Sequence, residues 1–276
     1  RSSFIRFVRK LYILPENEKC MRKLWALGLI LALILPFSLA QEDLYSMNSL
    51  ELQLNVDGSF ELVPTKSGSN IKEVTAKIFL YPEESERQKI ILWDSEGMVK
   101  DEIVSFFWND KKIEKKEFGY TALIETQNKR LAVKEKITFP LSPQDVQGLE
   151  QYLKPTEIID SGHPLVIAKA AELAEGEDDL FKVVFNLASW VEENIEYDLN
   201  TVTSTASQKG SWVLQNKQGV CDEMTSLFVA MARSLGIPAR FVSGISYTNS
   251  QEVINAVGSN WAGHGWAEVY FPEIGW

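Results

Sequence analysis

The chain has 276 residues, enough for two domains of ordinary size or one large one, and its 45% hydrophobic content describes a globular protein with a substantial core. A formal net charge of −10 argues against a nucleic-acid partner, because phosphate binding draws on clustered Lys and Arg. One Cys and two well-separated His beyond residue 20 (Cys221, His163 and His264) offer no ligand spacing for a metal centre, so no metal or other cofactor is expected.

In chain order, residues 1–20 read as an upstream extension before a start-like Met21. Arg22 and Lys23 then precede a uniformly apolar run, Leu24 to Leu35; Pro36 breaks it, and Ser38-Leu39-Ala40 places small residues at both cleavage positions. This is the pattern of a secretory signal peptide cut after Ala40, and it implies a secreted protein. A signal anchor is the alternative, with attachment to the membrane, since the run extended to Ala40 reaches about 17 residues, the bottom of the spanning range. Cleavage would remove seven of the 28 basic and two of the 38 acidic residues, leaving a more acidic chain. Cys20 would leave too, making Cys221 the only thiol and an internal disulfide impossible.

Residues 41–145 read as a β-sandwich-like domain. Leu50, Leu52, Leu54 and Val56 alternate, Asp57-Gly58 has the composition of a hairpin turn, and Phe60 and Leu62 resume the alternation. The runs "VTAKIFLY", "KIILWD", "EIVSFFWND", "YTALIE" and "RLAVKEKITF" supply further short antiparallel strands. The region has neither His nor Cys and carries no catalytic constellation. The proline-rich stretch 140–164 marks the domain boundary, placed near residue 145.

Residues 146–276 change period. Pro164 opens one helix, with His163 as a turn or cap residue, and Gly176 closes it. A second helix carries Leu180, Val184, Leu187 and Val191 on one stripe, capped by Asp178 or Asp179. Met224, Leu227, Phe228, Met231, Ala232 and Leu235 set a third helix over 222–235, stopped by Gly236. Cys221 therefore stands at a helix start, where unpaired backbone N–H groups favour a thiolate, while Asp222 and Glu223 oppose it. Gly219 lets the preceding backbone approach a substrate closely. "ARFVSGIS" is a strand and 247–263 a long polar loop. From His264 the chain alternates again: Ala267, Val269 and Phe271 on the core face, His264, Trp266, Glu268 and Tyr270 on the other.

The segments "GVCDEMTSLFVAMARSLGIPARFVSG" and "HGWAEVYFPEIGW" resemble the transglutaminase-like superfamily, a branch of the papain-like cysteine-hydrolase fold, here of the secreted prokaryotic type. The shared features are Gly-x-Cys at a helix start, Gly-Ile-Pro-Ala-Arg entering a strand, and His-x-Trp-x-Glu-Val-Tyr on the next one. "WVEENIEYD" is similar to the family's helix-then-Tyr lead-in. The likeness covers roughly residues 160–276 and implies an α+β fold of helices on an antiparallel sheet. It implies Cys221 as nucleophile and His264 as general base. The family's orienting Asp usually follows the Gly-Trp pair by a few residues and so has no position in a sequence ending at Trp276; Glu268 and Glu273 are not substitutes. The Cys221 backbone N–H would bind the oxyanion, and Trp212 or a polar side chain from 197–212 would complete the hole, with no basis for choosing. Trp266 and Gly219 would line the cleft.

The expected chemistry is thioester formation on a peptide or protein amide. Hydrolysis, giving a cysteine protease or amidase, is favoured because water is in vast excess outside the cell. Amine transfer by a protein-glutamine transglutaminase uses the same motifs. A secreted scaffold that has lost activity is the reading from another class, and the calcium loop Asp-x-Asp-x-Asp-Gly is absent.

Overall fold

Residues 8–12, 47–63, 71–109, 115–129, 132–199 and 207–276 are described by the computed structural model. Cys20 and the apolar segment 21–40 lie outside them, and no described helix is long and apolar enough to cross a membrane. The chain divides into two units, Arg1–Arg130 and Leu131–Trp276.

Alternating apolar residues build the first unit as two antiparallel sheets. One contains β1 (Val8–Tyr12), β2 (Ser49–Glu61), β7 (Lys115–Gln127) and β4 (Gln88–Asp94), in that order. The other contains β3 (Val74–Ile78), β6 (Ile103–Trp108) and β5 (Met98–Lys100). Leu54, Val56, Ala122 and Ile124 from the first sheet are buried, as are Ala76, Ile78 and Val104 from the second. The sheets meet through aromatic rings: Phe60 packs on Trp108 and Phe118 on Phe106, each at 5.2 Å between centroids. Such pairs add to the burial of their area, and the arrangement is that of a sandwich.

Asp57-Gly58 is not a turn. β2 runs unbroken through it, with Asp57 opposite Gly119 and Gly58 opposite Phe118 on β7. The Phe118 ring lies over Gly58, so that a Cβ there would meet the ring at 2.6 Å. Gly58 thus serves close packing inside a strand, a role that shares its residue type with a turn. Residues 132–138 are likewise not strand. Ile137, Phe139 and Leu141 pack on the core of the second unit, and the Leu180 N–H donates to the Ile137 carbonyl at 2.8 Å. These apolar contacts put the boundary near residue 130 instead of 145.

In the second unit the helices start where local chemistry dictates. α1 (Pro164–Leu173) has His163 as its N-cap, the ring nitrogen accepting the Leu165 N–H at 3.3 Å. α2 (Leu180–Asn194) is capped by Asp179, which accepts the Phe181 N–H at 3.1 Å. A two-residue strand β8 (Glu196–Tyr197) pairs in parallel with β9 (Gln218–Gly219), on either side of α3 (Gly210–Asn216). α4 (Cys221–Ser234) is the centre of the unit: Leu227, Val229, Ala230, Met231 and Ala232 are fully buried. It packs against α1, α2 and α3 and against the antiparallel pair β10 (Ala239–Tyr247) and β11 (Trp261–Val269). Truncating Leu227 to Ala would cost about 2–5 kcal/mol. The result is the expected α+β arrangement. The loop read at 247–263 contains one more helix, α5 (Gln251–Val257), with Ser250 at its N-cap and Gly258, at φ 75°, as its stop.

The tight β2–β7 contact is testable. A Cβ at Gly119 would drive into the Val56 carbonyl oxygen, a backbone atom that cannot step aside. Gly119→Ala should destabilise the first unit by about 1–3 kcal/mol. Hydrogen exchange of the β2 and β7 amides under increasing urea measures this, and unchanged protection would contradict the packing described.

Candidate active site

The start of α4 has an unusual cap. Val220 stands at the N-cap in extended conformation and has no side-chain acceptor. Glu223 replaces it from three residues ahead: one carboxylate oxygen accepts the Val220 N–H at 3.0 Å, the other the Gln208 N–H at 3.1 Å. This buried carboxylate, 3% exposed, thereby ties the helix start to the chain at 207–208. Gly219 makes room for it, since a Cβ there would meet the Glu223 Cβ at 2.6 Å. The glycine read as giving a substrate access to the backbone is buried and serves the cap.

Cys221 is the first residue of the helix and half-buried. Its sulfur donates to Asp222 Oδ1 at 3.2 Å, and the other Asp222 oxygen accepts from the Ser207 hydroxyl at 2.8 Å. Burial pushes the thiol pKa up from its ordinary value; the Asp222 carboxylate adds to the rise, while backbone hydrogen bonds from Gly265 and Asp222 oppose it. The resting group is a thiol, not the thiolate that a helix start alone would favour. The Tyr197 phenol lies close enough to feel the Cys221 sulfur. Burial and then the Cys221 sulfur raise the phenol pKa, so Tyr197 remains a protonated donor. It is brought there by the parallel bridge that sets Tyr197 opposite Gly219.

His264 lies on β11 opposite Gly244, exposed, its ring 6.3 Å from that of Trp266. Trp266 is 37% exposed on the same face. Among the described residues the His264 imidazole has no hydrogen-bond or ion-pair partner, and no hydrogen bond joins it to the Cys221 sulfur. The link between the two segments is the neighbouring Gly265. Its carbonyl accepts from the Thr225 hydroxyl near the start of α4 at 3.3 Å. β11 is therefore docked on the helix start one residue from His264.

The remaining motif residues are structural. Arg240 faces Glu268 across β10 and β11, with Nε and Nη2 at 2.8 and 2.7 Å from one carboxylate oxygen. The Arg240 guanidinium also lies 4.5 Å from the centre of the Trp276 ring. Trp212, in α3, packs on the core of the unit. His163 caps α1 through one ring nitrogen. Tyr197 and Ser207 are the site residues that sequence reading did not single out, whereas Asp222 was read as opposing the thiolate and does so. Tyr197 opens the stretch 197–212 that was left open as a source of a donor, and it ends the "WVEENIEYD" lead-in.

Residues 167–276 match the model of the transglutaminase-like superfamily. The chain is 28% identical over 167 residues to the uncharacterised protein YebA of Bacillus subtilis, covering 57% of this chain and 22% of that protein. It is 27% identical over 190 residues to an uncharacterised protein of Haemophilus influenzae, covering 61% of this chain and 50% of that one. The chain thus spans no more than half the length of these curated relatives. The crystal structure of a candidate cysteine protease from Cytophaga hutchinsonii superimposes with a TM-score of 0.57 at 18% identity, covering 81% of this chain and 74% of that one. Residues 167–276 form a transglutaminase-like domain.

The thiol's surroundings set a pH dependence. Asp222→Asn removes the adjacent negative charge and leaves only a neutral amide oxygen to accept the S–H, so the Cys221 pKa should fall. The rate of iodoacetamide alkylation at Cys221, followed by intact mass across pH, should rise at lower pH in the variant. An unchanged profile would show that Asp222 does not hold the proton.

Proposed function

We propose that this transglutaminase-like domain is a cysteine-type amidase acting on peptide or protein amides outside the cytoplasm. One observation carries the reading: Cys221 occupies the first position of α4, beside the strand that presents His264. At that position its own N–H is not used by the helix and is free to serve a substrate carbonyl oxygen in this reading. The apolar segment 24–35 behind Arg22-Lys23 supports export, by a cleaved signal or with an anchor that attaches the protein to the membrane.

Because the resting thiol is protonated, activation belongs to the reaction itself. Substrate binding brings a carbonyl carbon to Sγ; as the C–S bond forms, the thiol proton passes to His264 and the carbonyl electron pair moves onto oxygen. Collapse of this intermediate breaks the C–N bond, and His264 returns the proton to the leaving amine. Water, activated by His264, then attacks the thioester and releases the acid. An amine attacking in place of water would give transamidation.

Two observations favour the inactive-scaffold reading: the S–H is committed to Asp222, and His264 has no carboxylate partner among the described residues. One set of assays separates the three. The chain is incubated with a mixed peptide library, with and without dansylcadaverine, and thioester adducts are sought by intact mass. The amidase reading expects a Cys221 thioester that turns over to free acid, loss of both in Cys221→Ala, and a fall in turnover of about 10²–10⁴-fold in His264→Ala. Amine incorporation outpacing hydrolysis would make the protein a transglutaminase. No thioester at any pH would leave the scaffold.

A further inference from the structure

The first unit has an open cleft of its own, about 800 Å³ in volume, with walls from β2, β4, β6 and β7. It forms where β4 leaves the sheet. That strand ends at Asp94, opposite Thr121, so among the described residues the part of β7 before Thr121 has a strand neighbour only on its β2 side. The chain then turns through Ser95, whose hydroxyl donates to the Gly119 carbonyl at 3.0 Å. Through this gap the interior rings of Phe106, Trp108 and Phe118 line the cleft, joined by the half-exposed Phe107. The other wall is acidic. Asp57 stands across from Gly119, Asp94 and Glu117 flank the same glycine on the exposed face of the sheet, and Glu96 follows in the turn. Gly119 has no side chain, and a Cβ there would stand 3.2 Å from Asp57 Oδ1, so that carboxylate leans over the glycine. Asp57, Asp94 and Glu96 make no ion pair among the described residues, and Glu117 has only the exposed Lys115 at 3.9 Å.

We propose that this cleft binds the basic side chains of an extended protein segment, which makes the first unit a binding module independent of Cys221. Carboxylates gathered around one position repel each other, and a bound cation relieves that repulsion. The cation is not a metal ion, because no three acidic residues among the described ones are grouped closely enough to hold one. An ammonium or guanidinium group fits the wider spacing: it carries several donors, bridges carboxylates on neighbouring strands and has an aliphatic stem. The aromatic wall takes that stem, and the ring faces attract the charge itself. A chain of net charge −10 draws such a partner in. The uncovered flank of β7 favours a peptide over a small free amine, since a strand edge offers main-chain groups that pair with an extended segment.

The test is fluorescence anisotropy of fluorescein-labelled tetralysine titrated with the Cys221→Ala chain, in which the second unit cannot cleave the probe. Tetralysine should bind saturably, more weakly as salt is raised, and labelled tetraglutamate should not bind. Asp57→Asn combined with Asp94→Asn should weaken binding about three- to thirtyfold, and Phe107→Ala, which removes an exposed ring, about two- to fivefold. Glu51→Gln combined with Glu86→Gln alters the net charge equally outside the cleft and should leave the affinity within about twofold. Equal weakening by the two double variants would reduce binding to net charge and overturn the proposal. Free spermine competing as strongly as unlabelled tetralysine would make the ligand a small polyamine, and the absence of saturable binding would leave the cleft without a cationic ligand; each result overturns it. None of these outcomes depends on whether Cys221 is a nucleophile.

Discussion

A buried carboxylate governs the geometry of the site. Val220 has no side-chain acceptor to cap α4, its own N–H depends on Glu223, and that side chain has room only because residue 219 has no Cβ. Each backbone donor left unpaired in such a position would cost about 1–3 kcal/mol. The same carboxylate holds Gln208, and with it the neighbouring Ser207, whose hydroxyl orients Asp222 against the sulfur. The Gly219 backbone in turn pairs with β8 and delivers Tyr197. The Asp222 contact that favours the Cys221 thiol therefore follows from how the helix is capped.

The surroundings of the sulfur are divided in sign. Backbone N–H groups from Gly265 and Asp222 favour the thiolate, whereas burial and the Asp222 carboxylate favour the thiol, and the second pair prevails. A thiol so held is protected from adventitious alkylation and oxidation, which act on the thiolate. In the proposed amidase, reactivity then depends on a base that meets the sulfur when substrate is present. β11 is suited to presenting one: its Gly265 edge is fastened to Thr225 while His264 remains exposed beside it.

What was legible in the sequence was local. Pro164 with His163, and Asp179 ahead of Leu180, are caps whose partners lie two residues away, and both formed as read. The stripe on α4 is periodic and became the core. Arg240 and Glu268 are family motif residues that the fold explains as a cross-strand ion pair. Asp57-Gly58 misled because glycine marks both turns and close packing, and only the Phe118 ring, 60 residues on, distinguishes them. α5 was hidden by its polar flanks, although Ser250 and Gly258 were its signals. Tyr197 reaches Cys221 through pairing between two-residue strands, which have no periodicity to detect. The boundary slipped because "KITF" has strand composition, yet its apolar side chains belong to the second core.

The central claim is that docking of β11 on the start of α4 couples His264 to Cys221. The chain has only two histidines, and His163, committed to the α1 cap, is an internal reference. The direct measurement is the pair of imidazole ring resonances by NMR at one fixed pH, before and after Cys221 is converted to its methyl disulfide. The account predicts that the His264 resonances shift on modification while those of His163 stay. Two unmoved sets of resonances would contradict it, since a base that does not lie beside the sulfur cannot take its proton.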